Sequence, residues 1–221
     1  MQVKRRQFLG ALGAAAAATA TLTALKPARA QGKTPDPGID YREVTPPQPT
    51  DSLGKIEVIE FMWYGCPHCF AFEPALTPWI QKLPADVAFK RVPAQFNPIW
   101  VQHAKLFYAL DALGEENRLH KKAFDSIHID RLRLDQEAEM IEWAGKNGVD
   151  KAKFTEALKS FAVAGKLRRA AQMVSAYQID GVPVMAVNGK YITAPSVVGS
   201  QERALQVVDY LIEVERKKKR A

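Results

Sequence analysis

The chain has only two cysteines and four histidines in 221 residues. So few thiols exclude a scaffold stapled by several disulfides. A closed zinc site is equally poorly supplied. The cysteines are neighbours, His103, His120 and His128 are scattered, and zinc needs a compact set of four ligands. Beyond residue 30 there is no internal repeat and no low-complexity segment. The apolar stretch Phe8 to Leu25 is short and Ala-rich for a membrane span. Acidic residues are missing from the first 30 positions, which matters for the charge balance. The formal charge of +7 comes from 31 basic and 24 acidic residues. Five of the basic ones lie in that leader and five more in the tail Arg216-Lys217-Lys218-Lys219-Arg220. The body between carries 21 basic against 24 acidic residues. A nucleic-acid partner loses its main support, because the basicity belongs to two ends and not to a surface. The tail reads as a solvated helix end, favoured by the helix dipole.

The leader itself is informative. Lys4-Arg5-Arg6 is a positive start, an apolar run follows, and Ala28-Arg29-Ala30 is an A-x-A cleavage site. Residues 1–30 are therefore expected to be a signal peptide. Arg5-Arg6-Gln7-Phe8-Leu9 resembles a twin-arginine export signal; the alternative is a general secretory signal that carries two arginines. Either route leads out of the cytosol, to a compartment where disulfides persist. The 191 residues that remain suit one domain, or one domain with a large insertion.

The pattern changes twice along the chain. Residues 31–51 are rich in Pro and polar side chains and read as irregular, with Tyr41 to Val44 a candidate edge strand. Ile56 to Phe61 is a short apolar, β-branched run, hence a buried strand. Cys66 to Leu83 reads as a helix, with Pro67 suited to its first turn and Pro74 or Pro78 expected to kink it. Val87 to Val92 is a second strand, and together these form a right-handed β-α-β unit. From Pro98 to Ile179 the period is helical: Ile99 to Leu113, Asn117 to His128, Asp135 to Lys146, Asp150 to Val163, and Lys166 to Tyr177. Asp135 and Asp150 are the expected N-caps. Strand periodicity returns in Val182 to Val187 and Lys190 to Thr193, joined by a type I′ turn at Asn188-Gly189. Gln201 to Lys217 closes as an amphipathic helix.

Cys66-Pro67-His68-Cys69 is the feature that carries chemistry. A C-x-x-C pair opening a helix suits a dithiol that cycles with a disulfide. The helix N-terminus stabilises a thiolate, so Cys66 is expected to be the exposed, acidic nucleophile. Cys69 lies one turn in and is expected to be the buried resolving thiol. His68 can add a donor or a positive charge. The bland alternative is a plain structural staple. A loop of four residues makes such a bridge worth roughly 2 kcal/mol, a poor place for the only one.

Two stretches carry a family resemblance. Val58-Ile59-Glu60-Phe61 ahead of the C-P-H-C run, and Gly181-Val182-Pro183-Val184-Met185-Ala186-Val187-Asn188-Gly189-Lys190-Tyr191 near the other end, resemble the DsbA family of periplasmic thiol-disulfide oxidoreductases. The resemblance covers essentially the whole chain after the leader. It implies an α/β thioredoxin fold with an inserted α-helical domain: 31–97 and 180–221 as the two parts of the thioredoxin domain, 98–179 as the insertion. It implies a cis Val182–Pro183 bond lying against the cysteines, with Val182 and Pro183 aligning substrate. It implies a monomer that oxidises reduced, unfolded exported proteins in the periplasm, needs no metal or organic cofactor, and is reoxidised by a quinone-linked membrane partner of the DsbB type. Glu60, a carboxylate inside an apolar strand, matches a buried acid of the family that helps move protons, and Lys90 is its candidate charge partner. Glu73 is expected on the helix surface. Trp63, Tyr64 and Phe70 are read as either a docking surface or core. Two rivals stay open: a reductase or isomerase of the same fold, and a non-catalytic chaperone.

Overall fold

The computed structural model describes residues 34–220; the leader, with its cleavage site and arginine pair, lies outside the described residues. The apolar run becomes β2 (Ile56–Met62), in which every residue is buried. A strand covered on both faces must lie inside a sheet, and β2 does. It pairs in parallel with β3 (Val87–Pro93) and antiparallel with β4 (Val184–Val187). Beyond β4 come β5 (Tyr191–Thr193) and the two-residue edge strand β1 (Arg42–Glu43), giving the order β1-β5-β4-β2-β3.

Side chains of β2 alternate between two cores. Ile56 and Val58 pack with Phe72 and Leu76 of α1 (Pro67–Ile80) and with Val208 and Leu211 of α8 (Gln201–Arg220). Ile59 and Phe61 pack towards the helical block, where Phe61 meets Tyr177 with ring centroids 5.2 Å apart. That block is α2 (Pro98–Ala112), α3 (Glu116–His128), α4 (Glu137–Lys146), α5 (Lys151–Lys159) and α6 (Phe161–Ala176). A single turn, α7 (Pro195–Val198), precedes α8. Helix α1 runs through Pro74 and Pro78 without ending. Among the described residues no helix is long and apolar enough to cross a membrane.

Three local expectations need correction. Asp135 does not cap α4: Gln136 holds that position without a side-chain bond, and the Asp135 carboxylate is taken by the fork of Arg133, at 2.7 and 2.8 Å. The break between the helices expected over Asp150 to Val163 and Lys166 to Tyr177 comes earlier, because Ser160 turns out into extended backbone and its hydroxyl accepts from the Val163 amide, starting α6. Asp150 does cap α5, accepting from the Lys153 amide at 2.9 Å. The last hairpin begins at Val184 rather than Val182, since Pro183 has no N–H to give the ladder.

The turn of that hairpin has Asn188 at φ 51° and Gly189 at φ 70°, both in the left-handed region a type I′ turn requires. Gly189 also lies against the backbone carbonyl of Gln48, into which a β-carbon would be driven. Gly189→Ala is therefore expected to cost about 2 kcal/mol or more. Chemical denaturation should show it as a lower midpoint with an unchanged slope.

Candidate active site

The site is built where β2 ends and α1 begins. Cys66 is the N-cap of α1, in extended backbone, and its sulfur accepts from the Cys69 amide at 3.4 Å. Pro67 fills the first helical position, where a missing N–H costs nothing. Both cysteines are free thiols. The Cys66 thiol is pulled down to about 6. The largest cause is the hydrogen bond from the Cys69 thiol, followed by the backbone amides of Cys69 and His68 and then by the His68 charge, while burial opposes them. Cys69 is fully buried, and burial together with its bond to Cys66 raises it well above an ordinary thiol. The pair is thus split into one group that ionises near neutrality and one that does not. Cys66 is more enclosed than the sequence implies, 6% exposed, because the Val182 carbonyl oxygen lies 3.5 Å from its sulfur. Pro67 and His68 are exposed.

The Val182–Pro183 bond is cis. This loop stands between two cavities. One, of about 470 Å³, is lined by His68, Pro195, Ser196 and Gln201; the other, of about 460 Å³, has the exposed Ile39 and Val197 on its wall. Val182 and Pro183 line both, and His68 lines the first.

Behind Cys69 lies a buried charged cluster that the sequence shows only in part. Glu60 is fully buried, and its partner is Arg91, not Lys90: the guanidinium Nε donates to Glu60 Oε2 at 3.0 Å. The parallel register explains this, since it sets Glu60 beside Arg91 and Ile59 beside Lys90. Lys90 instead bonds Asp51 and Glu57, at 2.8 and 3.0 Å. Glu73 is not on the surface. It is 7% exposed, and its carboxylate receives Arg91 Nη2 at 3.3 Å, the Thr77 hydroxyl at 2.9 Å and His120 Nε2 at 3.1 Å. Arg91 Nη1 also lies 3.9 Å from Glu116. Burial raises Glu60 to about 7 against the pull of Arg91, and the negative Glu73 adds to the rise. Glu73 goes the other way. Burial opposes its ionisation, but bonding to His120, the charge of Arg91 and the Thr77 hydroxyl bring it to about 2. His120 is the functional candidate that reading the sequence missed; no local signal marks it.

The aromatic residues divide. Tyr64 is core, 1% exposed. Trp63 and Phe70 are half-buried: Trp63 stacks on Trp100 at 4.1 Å, and Phe70 on His128 at 4.7 Å. His103, against Trp63, is desolvated and falls to about 4, so it stays neutral. Among the described residues no group of three or more His, Cys, Asp and Glu side chains is arranged to hold a metal ion.

Comparison with known proteins agrees with this geometry. Residues 81–206 match the model of the DSBA-like thioredoxin domain, a stretch that begins beyond the cysteine pair. The thiol:disulfide interchange protein DsbA of Pseudomonas aeruginosa is 46% identical over 179 residues, covering 81% of this chain and 85% of that one. DsbA of Bordetella parapertussis is 45% identical over 205 residues, 92% and 95% of the two chains. The crystal structure of Pseudomonas aeruginosa DsbA superposes with a TM-score of 0.81 at 44% identity, over 84% of this chain and 97% of that chain. With a cysteine pair at a helix N-terminus, a cis-proline loop against it, and likeness running through nearly the full length of these relatives, the chain belongs to the DsbA family of thioredoxin-fold proteins.

Proposed function

We propose that this protein is a thiol-disulfide oxidoreductase that donates its Cys66–Cys69 disulfide to reduced, unfolded exported proteins in the periplasm. The observation that carries this is the split between the two thiols. Cys66, held by α1, is stable as a thiolate near neutral pH, so the reduced pair is favoured and the disulfide tends to take electrons from other thiols. A substrate thiolate attacks Cys66 Sγ, and the Cys66–Cys69 bond breaks with Cys69 leaving as the thiol. A second substrate thiolate then attacks the substrate sulfur of the mixed disulfide. The substrate disulfide forms, and Cys66 departs as the stabilised thiolate. Two electrons move from substrate to the pair, so the chemistry asks for no metal or organic cofactor.

Each residue has a role in this reading. Cys66 is the attacked sulfur, Cys69 the resolving thiol, and Pro67 opens the helix that stabilises the thiolate. His68 adds charge beside it, Val182 and Pro183 align an extended substrate by backbone pairing, and Glu60 exchanges a proton with Cys69. The leader exports the chain, residues 98–179 form an inserted helical domain between the two thioredoxin parts, and the protein acts as a monomer. A quinone-linked membrane protein of the DsbB type restores the disulfide. The test is to mix the oxidised mature protein with a reduced, unfolded protein and count thiols: two should disappear from the client for each pair reduced. An oxidised pair left intact would overturn the proposal. His68→Ala should raise the Cys66 titration, followed as thiolate absorbance, and make the disulfide less oxidising. An unchanged titration removes His68 from the mechanism.

A further inference from the structure

The disulfide chemistry leaves one buried polar ring unused. His120 of α3 is 5% exposed, with Nε2 3.1 Å from Glu73 Oε1 and Nδ1 3.0 Å from Glu116 Oε1. The Tyr64 hydroxyl is 3.1 Å from the same Nδ1. A carboxylate only accepts hydrogen bonds, and a neutral imidazole carries a single N–H. A neutral ring protonated at Nε2 can bond Glu73 and accept from the Tyr64 hydroxyl at Nδ1, but that leaves Glu116 Oε1, a buried oxygen with no hydrogen bond of its own, 3.0 Å from a nitrogen lone pair; the imidazolium sets a positive charge between both carboxylates instead. Burial opposes that charge, the two carboxylates outweigh it, and the ring's pKa lies above the ordinary value.

The groups around it come from every element of the site: Glu60 of β2, Tyr64 after it, Glu73 of α1, Arg91 of β3 and Glu116 of α3. Burial keeps the Tyr64 phenol protonated. Three carboxyls then face one guanidinium. Uncompensated charge is costly in a buried cluster, so protons or cations must supply the balance. With His120 charged, at most one proton is needed, and Glu60, the carboxyl that burial has raised to about 7, exchanges it with solvent near neutrality and stands as the carboxylate above that. Without His120 a second proton is needed, and Glu60 holds its own more tightly. Arg91 and Glu116 also line a cavity of about 390 Å³ whose lining includes neither cysteine.

We propose that His120 is a positioning residue for proton transfer: a buried imidazolium bridging Glu73 and Glu116 that fixes the proton count of the cluster and so leaves Glu60 able to take the Cys69 proton. This rests on the Glu60 role given above. The step concerned is closure of the disulfide from a mixed disulfide with glutathione. Glu60 first releases its own proton to solvent; the Cys69 thiol then gives its proton to the Glu60 carboxylate, and the Cys69 thiolate attacks Cys66 Sγ. The Cys66–glutathione bond breaks, and the departing glutathione thiolate takes up one proton to leave as the thiol.

The experiment measures glutathione release from that mixed disulfide in the full mature protein, across pH. The wild type should show an inflection near 7. His120→Gln should move it up by at least one unit, slowing closure about fivefold or more at pH 7. Adding Glu116→Gln to His120→Gln removes one negative charge with the positive one and should bring the inflection back. A ring that matters only for packing gives no such rescue, and failure of the double variant to recover overturns the proposal. Glu60→Gln separates the two ideas. If it leaves the inflection intact, the Glu60 role and the His120 role fall together. If it removes the inflection while His120→Gln does not move it, His120 alone is excluded.

Discussion

Cys66→Ser should reduce oxidation of a reduced, unfolded protein to the uncatalysed background. Serine can neither form the internal disulfide nor be attacked as its sulfur, so no residual pathway exists on this site. Cys69→Ser should fail differently. Its Cys66 still reacts with glutathione disulfide, but no second thiol stands one turn in to expel the adduct, and a mixed disulfide accumulates. The adduct is read by mass, the activity by thiol loss from the client. The pair of outcomes separates catalysis from a holding function: a chaperone would keep its effect on unfolded chains in both variants, because neither change alters the cavities beside Pro183. Full oxidase activity in Cys66→Ser would end the reading.

The second large effect is on stability. In the folded dithiol Cys66 titrates at about 6, below the ~8.5 of an ordinary thiol. A depressed acid contributes stability that is fully present above the unfolded value and is lost as pH falls through the folded one. The window is therefore about pH 6 to 8.5. Read between pH 5 and pH 8, the contribution is roughly 2–3 kcal/mol. The oxidised form has no thiol and no such dependence. Glu60 and His120 are present in both forms and cancel to first order. Denaturant midpoints at pH 5 and pH 8 should show the reduced form gaining on the oxidised form by about that amount. A gap that stays constant with pH would mean that the Cys66 thiolate is not stabilised by the fold.

What the sequence reveals and what it hides follow from the range of the interactions. The cysteine pair, Pro67 at the helix start and the Asn188-Gly189 turn are local features, set by neighbours one to four residues away, and they are legible as written. Asp150 is legible for the same reason, as its cap bond spans three residues. Asp135 misleads because a stronger local partner, Arg133, competes for the same carboxylate. The charged cluster is a different matter. Glu60 and Arg91 are 31 residues apart, and Glu73 and His120 are 47 apart, so no periodicity joins them. A carboxylate in an apolar strand announces that a partner exists. Which basic residue provides it depends on the register of β2 against β3, where one position separates Lys90 from Arg91. His120 depends on how α3 packs against α1, a tertiary fact with no trace in the helix itself.

The most direct measurement is the redox equilibrium of the Cys66–Cys69 pair in the mature protein against a glutathione buffer. A thiolate stabilised at a helix terminus predicts a pair that is reduced even when most of the glutathione is oxidised, with a potential well above that of a cytosolic reductant. A pair that stays oxidised in strongly reducing buffer would contradict this, and would mean that electrons flow from the site to its clients.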